Sequence, residues 1–448
     1  MKVLSQNMKL ELNKLKVSGY LVILCMTISC KSSRKLAKET PGLNSLMESS
    51  AIFNNHFTGF ALYDPVTSQY LLKQNANKYF TPASNTKILT LYSALTFLPD
   101  TLPSFKYFET DRDIYIKGMG DPTFLHPLWI DHPGFQKLVQ TEKSIHFVYD
   151  QYMDAAFGPG WAWNDYQDDY QAEISDFPLY GNLVEFVYDT VKNTVQTNPN
   201  YFSNRWFWQM KHDERKVSRS IDNNEFYVDT SFKDSVQLPF KADHVTLMKM
   251  LADTLRKQID MISLKDLPID IQWSIQKSVA ADSVYAQMMK VSDNFIAEQL
   301  ILQIGSYISD SCHTTATLKK IKSSLFPDTL QSFQWEDGSG LSRYNLFSFD
   351  QIIFALNKIL SMKGIEWITK IFPAGGQSGT IKNWYKSSEP YIYAKTGSLS
   401  NNRALSGYIH TKKDHWLIFS FLHSNFVGSS TPIVIEMQKT LEFIRDNY

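Results

Sequence analysis

The run Gly59-Phe60-Ala61-Leu62-Tyr63, the polar stretch Asp64-Pro65-Val66-Thr67-Ser68 and the returning Tyr70-Leu71-Leu72 alternate apolar, turn-forming and apolar character. That pattern predicts a β-hairpin. Over residues 84–98 the apolar positions Ile88, Leu89, Leu91 and Leu95 recur at helical spacing, so a helix beginning at Ser84 is expected. A second helical period runs from about residue 283 to 304 through Val284, Met288, Val291, Phe295 and Leu300, with Ser292-Asp293-Asn294 inside it at an expected break. Residues 391–395, 404–410 and 416–422 read as three strands of an antiparallel meander, the last two joined by the turn Lys412-Lys413-Asp414. The chain closes with an amphipathic helix from Pro432, carrying Val434, Met437, Leu441 and Ile444 on one face and Thr431 as its expected N-cap.

Helices and antiparallel strands therefore gather at the two ends of the chain. This predicts an α+β fold in which residues 51–103 and 275–448 form one domain, and residues 104–274 are an inserted, mainly β accessory region. A length of 448 residues suits two or three domains. Within the insertion the pattern changes to short irregular strands, the turn Gly118-Met119-Gly120-Asp121-Pro122 and the aromatic loop Gly160-Trp161-Ala162-Trp163-Asn164-Asp165. Residues 196–224 show no readable period, and no internal repeat is evident.

The first thirty residues differ from the rest, with Lys2, Lys9, Lys14 and Lys16 ahead of an apolar run over residues 20–28 that ends at Ser29-Cys30. This is a secretory signal pattern, too short to span a bilayer. Cys30 followed by the basic segment 31–38 is similar to a bacterial lipoprotein cleavage site. Export to the periplasm or cell envelope is expected, with membrane attachment through a lipidated Cys30, and residues 31–50 as a linker. Lys+Arg and Asp+Glu balance at 45 each, which gives nucleic acid no electrostatic reason to bind. The cysteines are Cys25, Cys30 and Cys312, so neither a disulfide framework nor a cysteine metal site is available.

Three motifs carry the chemistry, in this order: Ser84-Asn85-Thr86-Lys87, Ser292-Asp293-Asn294 and Lys395-Thr396-Gly397. Singly they read as a helix cap, a helix break and a strand end. Together, each in its expected element, they describe a serine activated by a lysine. A serine hydroxyl needs a base to take its proton, and an unprotonated lysine serves if burial or nearby cations lower its pKa. Ser84 and Lys87 lie one turn apart on one helix face, with unpaired N-terminal amides around the serine. Lys395 is the expected second cation, and its strand offers the backbone N–H of Ser398 beside that of Ser84 as an oxyanion hole. Ser292 is suited to relay a proton to the leaving amine, Asn294 to bond the substrate amide and Lys87, and Thr396, followed by Gly397, to receive a carboxylate. This chemistry calls for no metal and no cofactor.

The trio is the signature of class A β-lactamases and penicillin-binding proteins. Asp337-Gly338-Ser339-Gly340-Leu341-Ser342-Arg343, Phe372-Pro373-Ala374-Gly375-Gly376, Gly379-Thr380 and the two insertion segments above narrow it. With them, the chain beyond the linker resembles the penicillin-binding protein 4 group of D-Ala-D-Ala carboxypeptidases/endopeptidases, the peptidase S13 family. The long gap between Lys87 and Ser292 fits that group and not β-lactamases. The resemblance implies a penicillin-recognising transpeptidase/β-lactamase-like domain, acylation of Ser84 by peptidoglycan peptides and by β-lactams, and an inserted domain that reaches back to the site. It also implies that Asp165 reads the free amino group of meso-diaminopimelate, and that Arg343 and Gln377 lie in loops lining the same pocket. Two alternatives stay open: a β-lactamase or esterase of the same fold, and a lipid-anchored binding protein that has lost turnover.

Overall fold

The computed structural model describes residues 41–150, 155–210 and 215–448; the signal segment and Cys30 lie outside them. Pro41–Glu48 is helical, inside the stretch expected as a linker, and belongs to a unit separate from Ser49–Tyr448.

The larger unit is built on a five-stranded antiparallel sheet. Its strands are β1 (Phe57–Asp64), β2 (Gln69–Gln74), β3 (Ile392–Leu399), β4 (Asn402–His410) and β5 (Trp416–Ser424), in the order β3-β4-β5-β1-β2. The hairpin and the meander read from the apolar runs thus share one sheet, because β1 pairs with β5 from Phe57↔Ser424 to Tyr63↔Ile418. β3 is left at an edge. Helix α1 (Thr86–Phe97) packs against α2 (Ala281–Lys290), α3 (Asn294–Ser309) and α4 (Phe349–Ile371), and it is α4 and α5 (Thr431–Asn447) that contact the strands of the sheet. Helix α1 buries every residue from Thr86 to Ala94, not one apolar stripe, so it is a central core helix. The C-terminal helix includes Thr431 as its first residue; its N-cap is Ser430, and neither supplies a side-chain cap bond.

The expected break at the second motif is real. Helix α2 ends at Lys290, Ser292 has φ 68°, and the Asp293 carboxylate accepts from the Ile296 N–H at 2.9 Å to start α3. A serine in the left-handed region is conformationally costly, and such strain gathers at functional sites.

The insertion has its own core, in which Phe105, Phe147, Phe186, Phe202, Phe226 and Phe240 are completely buried. Its main sheet pairs Thr101–Glu109, Asp113–Gly118, Ser144–Tyr149, Ile259–Ser263 and Ser274–Ala280. The chain enters on the first strand and leaves on the last. These two pair antiparallel, from Ser274↔Tyr107 to Ala280↔Thr101, so the insertion closes on itself where it joins the rest. Two three-stranded sheets complete it, and the unreadable stretch 196–224 contributes strands of three and four residues, Val217–Arg219 and Trp206–Gln209. No helix among the described residues is long and apolar enough to cross a membrane.

Candidate active site

Ser84 sits in a single 3-10 turn, Ala83–Asn85, that leads into α1. Ala83 has φ 48°, and two glycines let the backbone close around this turn. A Cβ on Gly340, which has φ 87°, would lie 1.9 Å from the Ala83 carbonyl oxygen, and one on Gly397 would lie 2.7 Å from that of Pro82. Only glycine fits either position. Asn85 ties the turn to β3, its amide nitrogen donating to the Lys395 carbonyl (2.8 Å) and its oxygen accepting from Ser406 Oγ (2.6 Å).

Lys87 is completely buried. Its Nζ lies 2.6 Å from Asn294 Oδ1, 2.7 Å from the Ser339 carbonyl and 3.1 Å from Ser84 Oγ. The first two partners only accept, so a neutral amine donates both its protons to them and turns its lone pair to the Ser84 hydroxyl. Burial favours that form, lowering the Lys87 pKa to about 8 against the opposing charges of Glu298, Asp337 and Asp293.

The Ser339 carbonyl is held by a buried loop. Asp337 accepts from the Gly340 N–H (2.9 Å), the Ser342 N–H (2.6 Å) and Asn345 Nδ2 (2.7 Å). Glu298, one helical turn after Asn294 on α3, accepts from the Gly338 N–H (3.0 Å) and the Ser339 N–H (2.7 Å). Burial, with Asp337 nearby, pushes the Glu298 carboxyl well above its ordinary range.

Lys395 is also fully buried; its Nζ donates to Ser292 Oγ at 2.7 Å and to the Thr396 carbonyl at 2.8 Å. Burial lowers its pKa strongly, and the Lys87 and Arg403 charges add to this. Thr396 Oγ1 donates to Thr380 Oγ1 at 2.7 Å.

Above these groups opens a cavity of about 290 Å³ lined by Ser84, Asp165, Tyr170, Asn294, Arg343 and Ser398 among others. Lys87, Lys395 and Gly397 are buried beneath it, and Gln377 does not line it. Asp165 arrives from the insertion through four bonds. Trp161 Nε1 donates to Asp337 Oδ2 (2.9 Å), Ser342 Oγ to the Pro159 carbonyl (2.7 Å), the Arg343 N–H to the Gly160 carbonyl (3.3 Å) and Asn294 Nδ2 to the Tyr170 carbonyl (2.9 Å). Arg343 Nη1 also donates to the Ser400 carbonyl at 3.4 Å.

Sequence reasoning assigned no role to Glu298, Tyr170 or Thr380, and quoted Asp337 only within a motif. Glu298 had a signal: it is the one acid in the apolar stretch Phe295-Ile296-Ala297-Glu298-Gln299-Leu300-Ile301-Leu302.

The model of the family described as "D-Ala-D-Ala carboxypeptidase 3 (S13) family" matches residues 42–443. The chain is 24% identical to a D-alanyl-D-alanine carboxypeptidase of Actinomadura sp. (strain R39), over 90% of this chain and 84% of that one. Its fold matches the crystal structure of penicillin binding protein 4 (dacB) from Haemophilus influenzae with a TM-score of 0.70 at 19% identity, covering 90% of this chain and 99% of that one. The same Haemophilus protein complexed with a β-lactam matches with a TM-score of 0.64 at 17% identity, over 90% and 99% of the two chains.

Proposed function

Because this chain belongs to the D-Ala-D-Ala carboxypeptidase 3 (S13) family, we propose that it cleaves the terminal D-amino acid from peptidoglycan stem peptides through an acyl-enzyme on Ser84. It is a serine-type D-Ala-D-Ala carboxypeptidase, a hydrolase with the penicillin-binding fold. The observation that carries the residue roles is one convergence: Lys87 Nζ reaches both Ser84 Oγ and Asn294 Oδ1, while Lys395 Nζ reaches Ser292 Oγ.

Ser84 Oγ bonds to the carbonyl carbon of the penultimate residue as its proton passes to Lys87 Nζ. The oxyanion is received by the backbone N–H groups of Ser84 and Ser398, two residues that both line the cavity. The peptide C–N bond then breaks as the proton held by Lys87 is relayed through the Ser292 hydroxyl to the leaving amine, and water later hydrolyses the ester and restores Ser84. Asn294 orients the substrate amide, Thr396 and Ser398 receive the terminal carboxylate, and Asp165 pairs with a free amine on the stem side chain, flanked by Arg343. A β-lactam undergoes the same attack, but its leaving nitrogen stays tethered. The same site accepts cross-linked stems, in which the leaving amine belongs to a second peptide. Export through residues 1–30, with lipidation of Cys30, places the enzyme at the cell envelope.

Digestion of purified muropeptides with product analysis tests this reading. Free D-Ala is expected from pentapeptide stems, with loss of cross-linked dimers as the endopeptidase component. Intact stems and dimers after prolonged incubation would overturn it.

A further inference from the structure

A second cavity, of about 430 Å³, shares Asn294 and Tyr170 with the one that holds Ser84. The two adjoin at the bond from Asn294 Nδ2 to the Tyr170 carbonyl. Ser292 lines this second cavity and not the first. The residue that passes a proton to the leaving amine therefore borders a space of its own, apart from the cavity that Asp165 lines.

The groups around that space suit a peptide backbone. The catalytic domain contributes the half-buried Gln287 on α2, and the insertion contributes the exposed Gln237 on the strand Ser235–Pro239. Neither carboxamide is hydrogen-bonded among the described residues. A carboxamide donates and accepts at once, which matches one peptide group. His126 supplies a further donor. Its Nδ1 accepts from the Leu128 N–H at 3.2 Å, which assigns the ring proton to Nε2. Gly181, at φ 69°, lets the ring lie against the backbone, since a Cβ there would stand 2.9 Å from His126 Nε2. Burial, with His132 nearby, lowers the imidazole pKa to about 4 and keeps it neutral. The cavity is also open-ended: Asp169 and Gln237 line both it and a cleft of about 780 Å³ in the insertion. A space of this size holds a peptide segment, and the continuation leaves room for what that segment is attached to.

We propose that this cavity receives the second stem peptide of a cross-linked dimer, the one that leaves, with Gln287, Gln237 and the His126 Nε2–H reading its peptide groups. This rests on Ser84 attacking from the neighbouring cavity and on Ser292 serving the leaving amine. A departing D-Ala ends at its own carboxylate and does not extend to these groups. A departing stem does. The cavity thus separates two activities of one site, because endopeptidase action uses it and carboxypeptidase action does not.

Purified muropeptides supply the test. kcat/KM is measured for D-Ala release from a monomeric pentapeptide and for cleavage of a cross-linked dimer, using wild-type protein, Gln237→Ala, Gln287→Ala and the double variant. Benzylpenicillin acylation reports that each variant is folded. Losing neutral hydrogen bonds predicts a fall in dimer cleavage of about 2- to 10-fold in each single variant and about 5- to 100-fold in the double. D-Ala release and acylation should change by less than about twofold. Dimer cleavage within about twofold of wild type in the double variant, or dimer cleavage and D-Ala release falling together, overturns the assignment. So does a wild-type protein that releases D-Ala but leaves dimers intact. A wild-type protein that neither releases D-Ala nor is acylated overturns the Ser84 reading itself.

Discussion

Burial sets the working pH of this site. An ordinary lysine at 10.5 is almost wholly protonated at neutral pH, whereas Lys87 is lowered to about 8. At pH 7 that raises the neutral fraction from about 0.03% to about 10%, roughly 300-fold more enzyme with a base ready to take the Ser84 proton. Since the neutral form is the competent one, acylation is lost as pH falls through about 8. Stopped-flow acylation by a fluorescent penicillin between about pH 6 and 9.5 should give a single ascending limb with its midpoint near 8, falling about tenfold per unit on the acid side. A flat profile, or a midpoint near the ordinary lysine value, would refute Lys87 as the base. The same shift affects stability. Between about 8 and 10.5 the unfolded chain binds a proton that the folded one does not, so the Lys87 contribution to stability rises with pH through that window.

Two substitutions probe the shell around this base. Asp165→Asn should lower kcat/KM about 10- to 100-fold for stem peptides with a free side-chain amine. It should barely alter their N-acetylated forms, and equal losses on both would count against a role in amine recognition. Gly340→Ala places a methyl group 1.9 Å from the Ala83 carbonyl at φ 87° and should destabilise the protein by at least about 2 kcal/mol in chemical denaturation. A loss below about 0.5 kcal/mol would show that the nucleophile turn is not gripped there.

The catalytic motifs were legible because their chemistry depends on local spacing. Ser84 and Lys87 are one turn apart, and the polar Ser292-Asp293-Asn294 interrupts an otherwise apolar helical period. The hairpin and the meander were legible for the same reason, as short continuous apolar runs bounded by turns. What pairs with what was not written locally. β1 joins β5 across more than 350 residues, and Glu298 meets the Gly338 and Ser339 amides only once α3 lies beside that loop. Residues 196–224 were opaque because Trp206–Gln209 turns its aromatic Phe207 and Trp208 to solvent, so burial and side-chain character part company.

The central claim is that Ser84 becomes covalently acylated. Intact-mass and peptide-mapping mass spectrometry of the protein without residues 1–30, after brief exposure to near-stoichiometric benzylpenicillin, tests it most directly. One penicilloyl group on the peptide containing Ser84, and none on the Ser84→Ala variant, is the predicted result. An unmodified protein, or a label that persists in Ser84→Ala, would contradict it.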